Sequence, residues 1–277
     1  MVLLHRDTKT SSLVSAATAE LGERILEAYS TRTRWFRQMI PRSGFRAVAA
    51  WIERLTIPGI LRHYALRKKC LANLGRAALR GGAKQVVVLG AGFDGCALDL
   101  SREFPSANFW EVDHSATQRW KAQVMSAADS QHLHLVGADL SQGVLPTDAL
   151  RASHFDSGAD NFWIAEGLLM YFPESVVQSL IGAIGSLTNA GGGLAFSFME
   201  KRDDGRIRFR KQSRLVDWWL GRRSEPFLWS ASRAEVRRLL HSWKDVTFFD
   251  HEDLRALGSL EDDVPLAAGE IICFTTR

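Results

Sequence analysis

The stretch QVVVLGAGFDGCALDL, from Gln85 to Leu100, decides how this chain is read. Four apolar residues, Val86 to Leu89, run into Gly90-Ala91-Gly92-Phe93-Asp94-Gly95, and an amphipathic segment follows. A short apolar run ending in glycines reads as a buried strand that turns sharply into a helix. Gly90 and Gly92 permit backbone angles that a side chain forbids and let a ligand come close. The next acidic strand end is EVD, with Asp113 twenty-three positions after Gly90. A glycine turn with an acid about 20 residues on is a nucleotide-cofactor signature, the acid accepting hydrogen bonds from a ribose.

Working outward, strands and helices alternate. Val86–Leu89, Asn108–Val112, Leu133–Val136, Phe162–Ala165 and Leu194–Phe198 read as strands. Ser115–Ala128 reads as a helix, and so does a segment from Pro173 to Asn189, which the glycines 191–193 stop. This alternation predicts an α/β fold with a parallel sheet and helices on both faces. Upstream lie about 80 mostly helical residues. Residues 10–30 place Leu13, Ala17, Leu21, Ile25 and Ala28 on one face. A basic, aromatic stretch with Trp35, Phe36 and Pro41 follows, then residues 44–80, interrupted at Ile57-Pro58-Gly59. The last helix, Leu61 to Arg80, ends at Gly81-Gly82. Downstream, residues 201–230 are charged and aromatic and read as an insertion. Arg233–Ser242 reads as a helix, and Val246–Phe249 and Glu270–Thr275 as strands joined by a polar, mostly loop-like segment. A long hairpin of this kind closes the sheet with an antiparallel last strand. The expected division is residues 1–82 as a helical cap or substrate lid and residues 83–277 as the core with its 201–230 insertion.

Hydrophobic residues make up 46% and charged residues 24%, an ordinary globular composition rather than a disordered one. No apolar run approaches the ~20 residues needed to span a bilayer. The opening MVLLHRDTKTSS has too short an apolar stretch for a signal peptide. Cys70, Cys96 and Cys273 lie far apart without metal spacing and read as free thiols in a reducing cytoplasm. The net charge of +4 is uneven: residues 1–84 carry 16 Lys/Arg against 5 Asp/Glu, and the remainder 19 against 26. The basic third is a solvated arginine-rich face, or a rim that draws in an acidic substrate or a nucleic acid. No RNA-binding motif accompanies it, so nucleic acid is not the expected partner.

Strands one to four each end in a glycine turn or an acid: Gly90/Gly92, Asp113, Asp139 and Glu166. Ligands of open α/β sheets bind outside the carboxyl ends of the strands, so these ends converge. The spacing suits a nucleoside, with Asp113 at the ribose hydroxyls and Asp139 at the adenine amino group. The glycine pattern alone fits NAD, FAD and S-adenosylmethionine equally. A dinucleotide oxidoreductase should show a second half-site and a hydride-transfer acid/base, and neither is visible. Tyr64-Ala-Leu-Arg-Lys68 matches a dehydrogenase Tyr-x-x-x-Lys pair but lies upstream of the glycine turn, the wrong place for it.

QVVVLGAGFDGCALDL, then FWEVDHSATQRWKAQ, then AEGLLMYF together resemble the leucine carboxyl methyltransferase family. The resemblance covers about residues 57–200 and, more faintly, Glu225-Pro226-Phe227 and the helix after it. It implies a Rossmann-like class I methyltransferase fold: a mostly parallel seven-stranded sheet with an antiparallel last strand, an N-terminal helical cap and an insertion after strand five. It implies S-adenosyl-L-methionine as methyl donor and S-adenosyl-L-homocysteine as product. Arg67, in HYALRKKC, resembles the arginine that grips the donor's carboxylate, with Arg62, Lys68 and Lys69 as competitors. Gly90, with Ala91 and Gly92, resembles the turn packed against the methionine moiety. Asp113 resembles the ribose acid, Asp139 and Leu140 the pair at the adenine, and Glu166 the acid of an Ala-Glu-Gly motif facing the cofactor. Helix capping is the plain alternative for Asp113 and Asp139. Phe93, Leu168, Leu169 and Met170 read as core. Gly95-Cys96 departs from the family's usual Asp-Thr continuation and loosens the turn.

Methyl transfer from a sulfonium is an in-line displacement that needs alignment and a dry site. A carboxylate acceptor is ionised near neutral pH and needs no base, whereas a hydroxyl usually needs one. His5, His63, His114 and His251 are candidates without a recognisable motif, which favours a carboxylate, with a hydroxyl or an amine acceptor on the same fold as the alternatives. Tyr171 is expected to face the methyl group or the acceptor. The acceptor is expected to be a small acidic or aromatic molecule of secondary metabolism. Its pocket would come from the N-terminal helices and the insertion, with Trp218, Trp219 and Trp229 as walls. Arg206, Arg208 and Arg210 read as one face of a solvated edge strand, or as a grip on the acceptor's charge. No metal ligand set is visible.

Overall fold

Val86 to Leu89 form the middle of a strand covered on both faces, and this sets the layering. In a computed structural model, which describes residue 53 and residues 56–125, 131–213 and 226–277, strand β1 is Gln85–Leu89 and every residue in it is buried. Val86 and Val88 point into one core with Leu66, Leu71, Leu100, Phe109, Ile164 and Leu254. Val87 and Leu89 point into the other with Trp110, Trp163, Leu180, Ile184, Phe196 and Val236. An apolar side chain at every position is what a strand needs when both faces are dry.

The strands are β1, β2 (Asn108–Asp113), β3 (Leu133–Gly137), β4 (Asn161–Ala165), β5 (Gly193–Glu200), β6 (Ser230–Ala231), β7 (Lys244–Phe249) and β8 (Glu270–Thr276). The order is β3-β2-β1-β4-β5-β8-β7, and the two-residue β6 pairs in parallel with the end of β5. Strands β1 to β5 are mutually parallel where they pair, and β8 is antiparallel to both β5 and β7. The expected mixed sheet is present, with eight strands rather than seven because of β6.

Helices α1 (Ile60–Arg80), α2 (Cys96–Glu103), α3 (Ser115–Val124), α4 (Thr147–Ala152), α5 (Glu174–Leu187), α6 (Arg233–Leu239) and α7 (His251–Leu257) connect the strands. Helix α1 enters from Gly59, whose φ of 80° and close approach to Pro265 and Leu266 leave no room for a Cβ. It leaves through Gly81-Gly82 straight into β1, so its first turns stand at the carboxyl ends of the strands.

Two expectations need correction. The segment between β7 and β8 contains α7 rather than only loop. Asp250 accepts from the N–H groups of Glu252 and Asp253 while Asp253 accepts from the Asp250 N–H, a reciprocal cap, and Leu254 anchors the turn in the core. Residues 201–213 contain no strand. A turn at Gly205, with φ 66°, breaks the alternation, and Asp204 gathers the side chains of Arg202 and Arg208 and the N–H of Arg206. Arg206, Arg208 and Arg210 therefore do not share a strand face; Arg210 pairs with Glu200 at 2.8 Å. The helical reading of residues 10–30, the stretch with Trp35 and Phe36, and His5, Trp218 and Trp219 lie outside the described residues, as does most of the proposed cap.

Candidate functional site

Parallel pairing in register brings the ends of β3, β2, β1 and β4 side by side. Leu89 is level with both Val112 and Ala165, and Asp113 is level with Gly137. The residues that follow therefore form one rim: Gly90, Ala91 and Gly92 after β1, Asp113 ending β2, Asp139 and Leu140 after β3, and Glu166 after β4.

Gly90 and Gly92 have φ of 65° and 51°. A Cβ at Gly90 would sit 2.7 Å from Leu168 Cδ1, whereas one at Gly92 would meet nothing within 4 Å. The turn is thus packed underneath at Gly90 and open at Gly92. The Gly92 N–H donates to Asp113 Oδ2 at 2.8 Å and the His114 N–H to Oδ1 at 2.7 Å. Asp113 therefore ties the rim ends of β1 and β2 together and does not cap α3; His114 does, through Nδ1. Asp139 does cap, accepting the Ser141 N–H at 3.0 Å ahead of a 3-10 turn over Leu140–Gln142, and these bonds from Ser141 hold its carboxyl below the usual range. Leu140 is buried beneath it.

Behind the rim runs a chain of buried and half-buried charges that the sequence did not disclose. Arg67, on the second turn of α1, donates through Nε and Nη2 to Glu166 Oε1 at 3.0 and 2.9 Å, and through Nη1 to Glu270 Oε1 and Oε2 at 2.7 and 2.8 Å. His63 Nε2 lies 2.8 Å from Glu270 Oε2. Lys68 reaches Asp94 at 2.6 Å and Glu166 at 3.1 Å. Burial by itself would raise the Glu270 pKa, but Arg67 and His63 hold it down at about 2. Asp94 is likewise held low by Lys68 against the cost of burial. Arg67 and Lys68 thus reach the rim. Arg62 turns to the Pro265 carbonyl and Lys69 to that of Leu257. The Asp94 carboxylate also accepts the Gly95 N–H at 2.7 Å, which keeps the turn ordered where Gly95 offers α2 no side-chain cap.

A wall of rings stands beside this charge chain. Tyr171 meets Phe227 at 5.4 Å between centroids, Phe227 meets Phe209 at 6.4 Å, and Phe209 meets His63 at 5.5 Å and Tyr64 at 6.5 Å. The Arg67 guanidinium lies 4.8 Å over the Tyr64 ring, and burial pushes the Tyr64 hydroxyl up to about 12. Phe209 and Phe227 belong to the insertion, and they pack beside the charge chain with Phe209 buried and Phe227 half-buried. Trp229, expected as a wall, is buried in the core against Phe198. Leu169 and Met170 are core as expected, while Phe93 is exposed. His251 pairs with its neighbour Glu252 and stands apart from the site. Glu270 carries one signal in the sequence, a lone acid opening the apolar run of the strand EIICFTT.

Among the described residues no group of three or more His, Cys, Asp or Glu could hold a metal, and no helix is long and apolar enough to cross a membrane. The three cysteines are free and buried.

A family model described as leucine carboxyl methyltransferase matches residues 3–185. A Frankia alni protein, provisionally named an S-adenosyl-L-methionine-dependent methyltransferase, is 33% identical over 156 residues, 54% of this chain and 51% of that one. A Streptomyces coelicolor protein with the same provisional name is 32% identical over 174 residues, 58% and 56% of the two chains. The chain spans about half the length of the curated relatives it matches. Among solved structures, a DUF574 family protein from Streptomyces avermitilis superposes with a TM-score of 0.60 at 12% identity, covering 79% of this chain and 84% of that one. A protein from Thermobifida fusca, provisionally named a methyltransferase, gives 0.55 at 16% identity, covering 84% and 87%. At these identities the likeness concerns the fold.

Proposed function

The chain belongs to the leucine carboxyl methyltransferase family, and from that premise we propose that it transfers a methyl group from S-adenosyl-L-methionine to an oxygen of a small acceptor with an apolar or aromatic body. The observation that carries this reading is the convergence of Gly90–Gly92, Asp113, Asp139 and Glu166 at four adjacent strand ends, with open space above Gly92. These residues fit the donor. Asp113 offers carboxylate oxygens to ribose hydroxyls, Asp139 and Leu140 a hydrogen bond and an apolar surface to an adenine, and Arg67 and Glu166 opposite charges to an amino acid's two ends. When bound, the donor supplies an electrophilic methyl on a sulfonium. The chain's part is to fix the acceptor oxygen in line and keep water out. Tyr171, Phe227, Phe209 and Tyr64 are the residues we assign to the acceptor's body.

A carboxylate acceptor, expected from the sequence, would need no base. A hydroxyl acceptor is supported by one specific observation, the buried His63–Glu270 pair at the ring wall. Equilibrium binding tests the donor: the reading requires S-adenosylhomocysteine to bind, and tight nicotinamide dinucleotide binding without it rejects the reading in favour of an oxidoreductase. A labelled-methyl assay on small carboxylic acids and phenols then tests the acceptor, since base releases label from an ester and leaves it on an ether.

A further inference from the structure

His63 is 1% exposed, and its Nδ1 has no hydrogen-bond partner among the described residues. A buried ring nitrogen left without a partner costs stability and asks for an explanation. The other nitrogen, Nε2, is 2.8 Å from Glu270 Oε2. The Glu270 carboxylate accepts from Nε2–H, and in that tautomer the ring's lone pair falls on Nδ1, the nitrogen without a partner. The ring stands edge-on to Phe209, 5.5 Å between centroids, in the aromatic cluster assigned above to the acceptor's body. Position along α1 fits as well. His63 lies four residues before Arg67, and α1 runs antiparallel to β1, so His63 stands about 6 Å further out along the helix axis than the residue assigned to the donor's carboxylate.

We propose that His63, oriented by Glu270, is the general base of the reaction, and that the acceptor is accordingly a hydroxyl compound of the phenol class. The inference rests on the methyl-transfer reading of the site. The acceptor's O–H proton passes to His63 Nδ1 as the oxygen–methyl bond forms and the methyl–sulfur bond breaks. The bond's electron pair leaves with the sulfur, giving a methyl ether and neutral S-adenosylhomocysteine. The imidazolium that results is paired with Glu270 and later yields its proton to water. A base backed by a carboxylate is a recurring way to activate a weak oxygen nucleophile. Glu270 is a positioning residue here: it holds His63 on one side and Arg67 on the other. The charged and titratable groups around His63 are Glu270 on β8, Arg67 and Tyr64 on α1, and Glu166 through Arg67.

The test uses the full chain loaded with S-adenosylhomocysteine and 4-nitrophenol as a probe whose phenolate absorbs visibly. The expected result is a phenolate band in the wild type at a pH where the free probe is protonated, and loss of that band in His63→Gln, which keeps a donor toward Glu270 but has no base. In turnover, His63→Gln should slow methylation of unsubstituted phenol about 10²- to 10⁴-fold and that of the more acidic 4-nitrophenol much less, with S-adenosylhomocysteine affinity unchanged. No band in the wild type overturns the proposal without any variant. Equal slowing of both phenols, or a base-labile product formed from benzoic acid at the wild-type rate in His63→Gln, overturns it too. Failure of the wild type to bind S-adenosylhomocysteine is a separate result that rejects the methyl-transfer reading itself.

Discussion

Asp113 and Glu270 are both acids at strand ends, yet their surroundings give them different work. Asp113 is half-buried and holds the Gly92 N–H, so its loss should be felt by the donor more than by the fold. Asp113→Ala is expected to weaken S-adenosylhomocysteine binding by about 1–3 kcal/mol, read by calorimetry, with a smaller change in unfolding free energy; unchanged affinity removes Asp113 from the site. Glu270 is fully buried between Arg67 and His63, and its carboxyl is held down at about 2 against an ordinary 4.5. Because the folded value is depressed, its contribution is complete above pH 4.5 and is lost as pH falls toward 2, about 3 kcal/mol in all. Urea unfolding across that window should show the loss in the wild type. Glu270→Gln should flatten it while costing about 3–5 kcal/mol at neutral pH, because Arg67 is left short of a partner. Asp113 was legible in the sequence because its place follows from the local order strand, turn, helix. Glu270 and His63 were not paired there, since 207 positions separate them and only the sheet's closure joins them.

The glycine turn and helix α5 show how one residue type serves two kinds of element. Gly90 adopts φ 65° with Leu168 pressed against the place of its missing Cβ. Gly90→Ala should therefore destabilise the fold by about 1–3 kcal/mol and distort the donor's seat. Gly182 lies within α5, where a Cβ would meet nothing within 4 Å. Gly182→Ala should stabilise by about 0.5–1 kcal/mol through helix propensity. Denaturant midpoints measure both, and a stabilised Gly90→Ala protein would contradict the strain assigned to the turn. Hydrophobic periodicity located every long strand and α1 within a residue or two. It missed α7, whose reciprocal cap at Asp250 and Asp253 signals a helix start in a segment that otherwise reads as polar loop. It also read a strand into RIRFR, where alternation is overridden by the turn at Gly205 and the grip of Asp204.

For the molecule as a whole, a donor that binds only the folded chain must raise its stability by mass action. S-adenosylhomocysteine at 100 times its dissociation constant should add about 2.7 kcal/mol, or on the order of 5–10 °C in the melting temperature of a chain this long. Nicotinamide dinucleotides at the same concentration should add nothing, and the reverse pattern would place the chain among oxidoreductases. The α/β class, the parallel core and the rim of Gly90, Asp113, Asp139 and Glu166 are legible in the linear order of residues. Each of these depends on short-range order: an apolar run fixes a strand, its glycines or acids fix its end, and parallel crossovers bring like ends together. Which side chains meet behind that rim depends on how the folded elements pack. The descent of α1 onto β4 and the antiparallel entry of β8 beside β5 bring His63, Arg67, Glu166 and Glu270 into one buried cluster. Such contacts are selected by the packing of the whole sheet, and no local pattern encodes them.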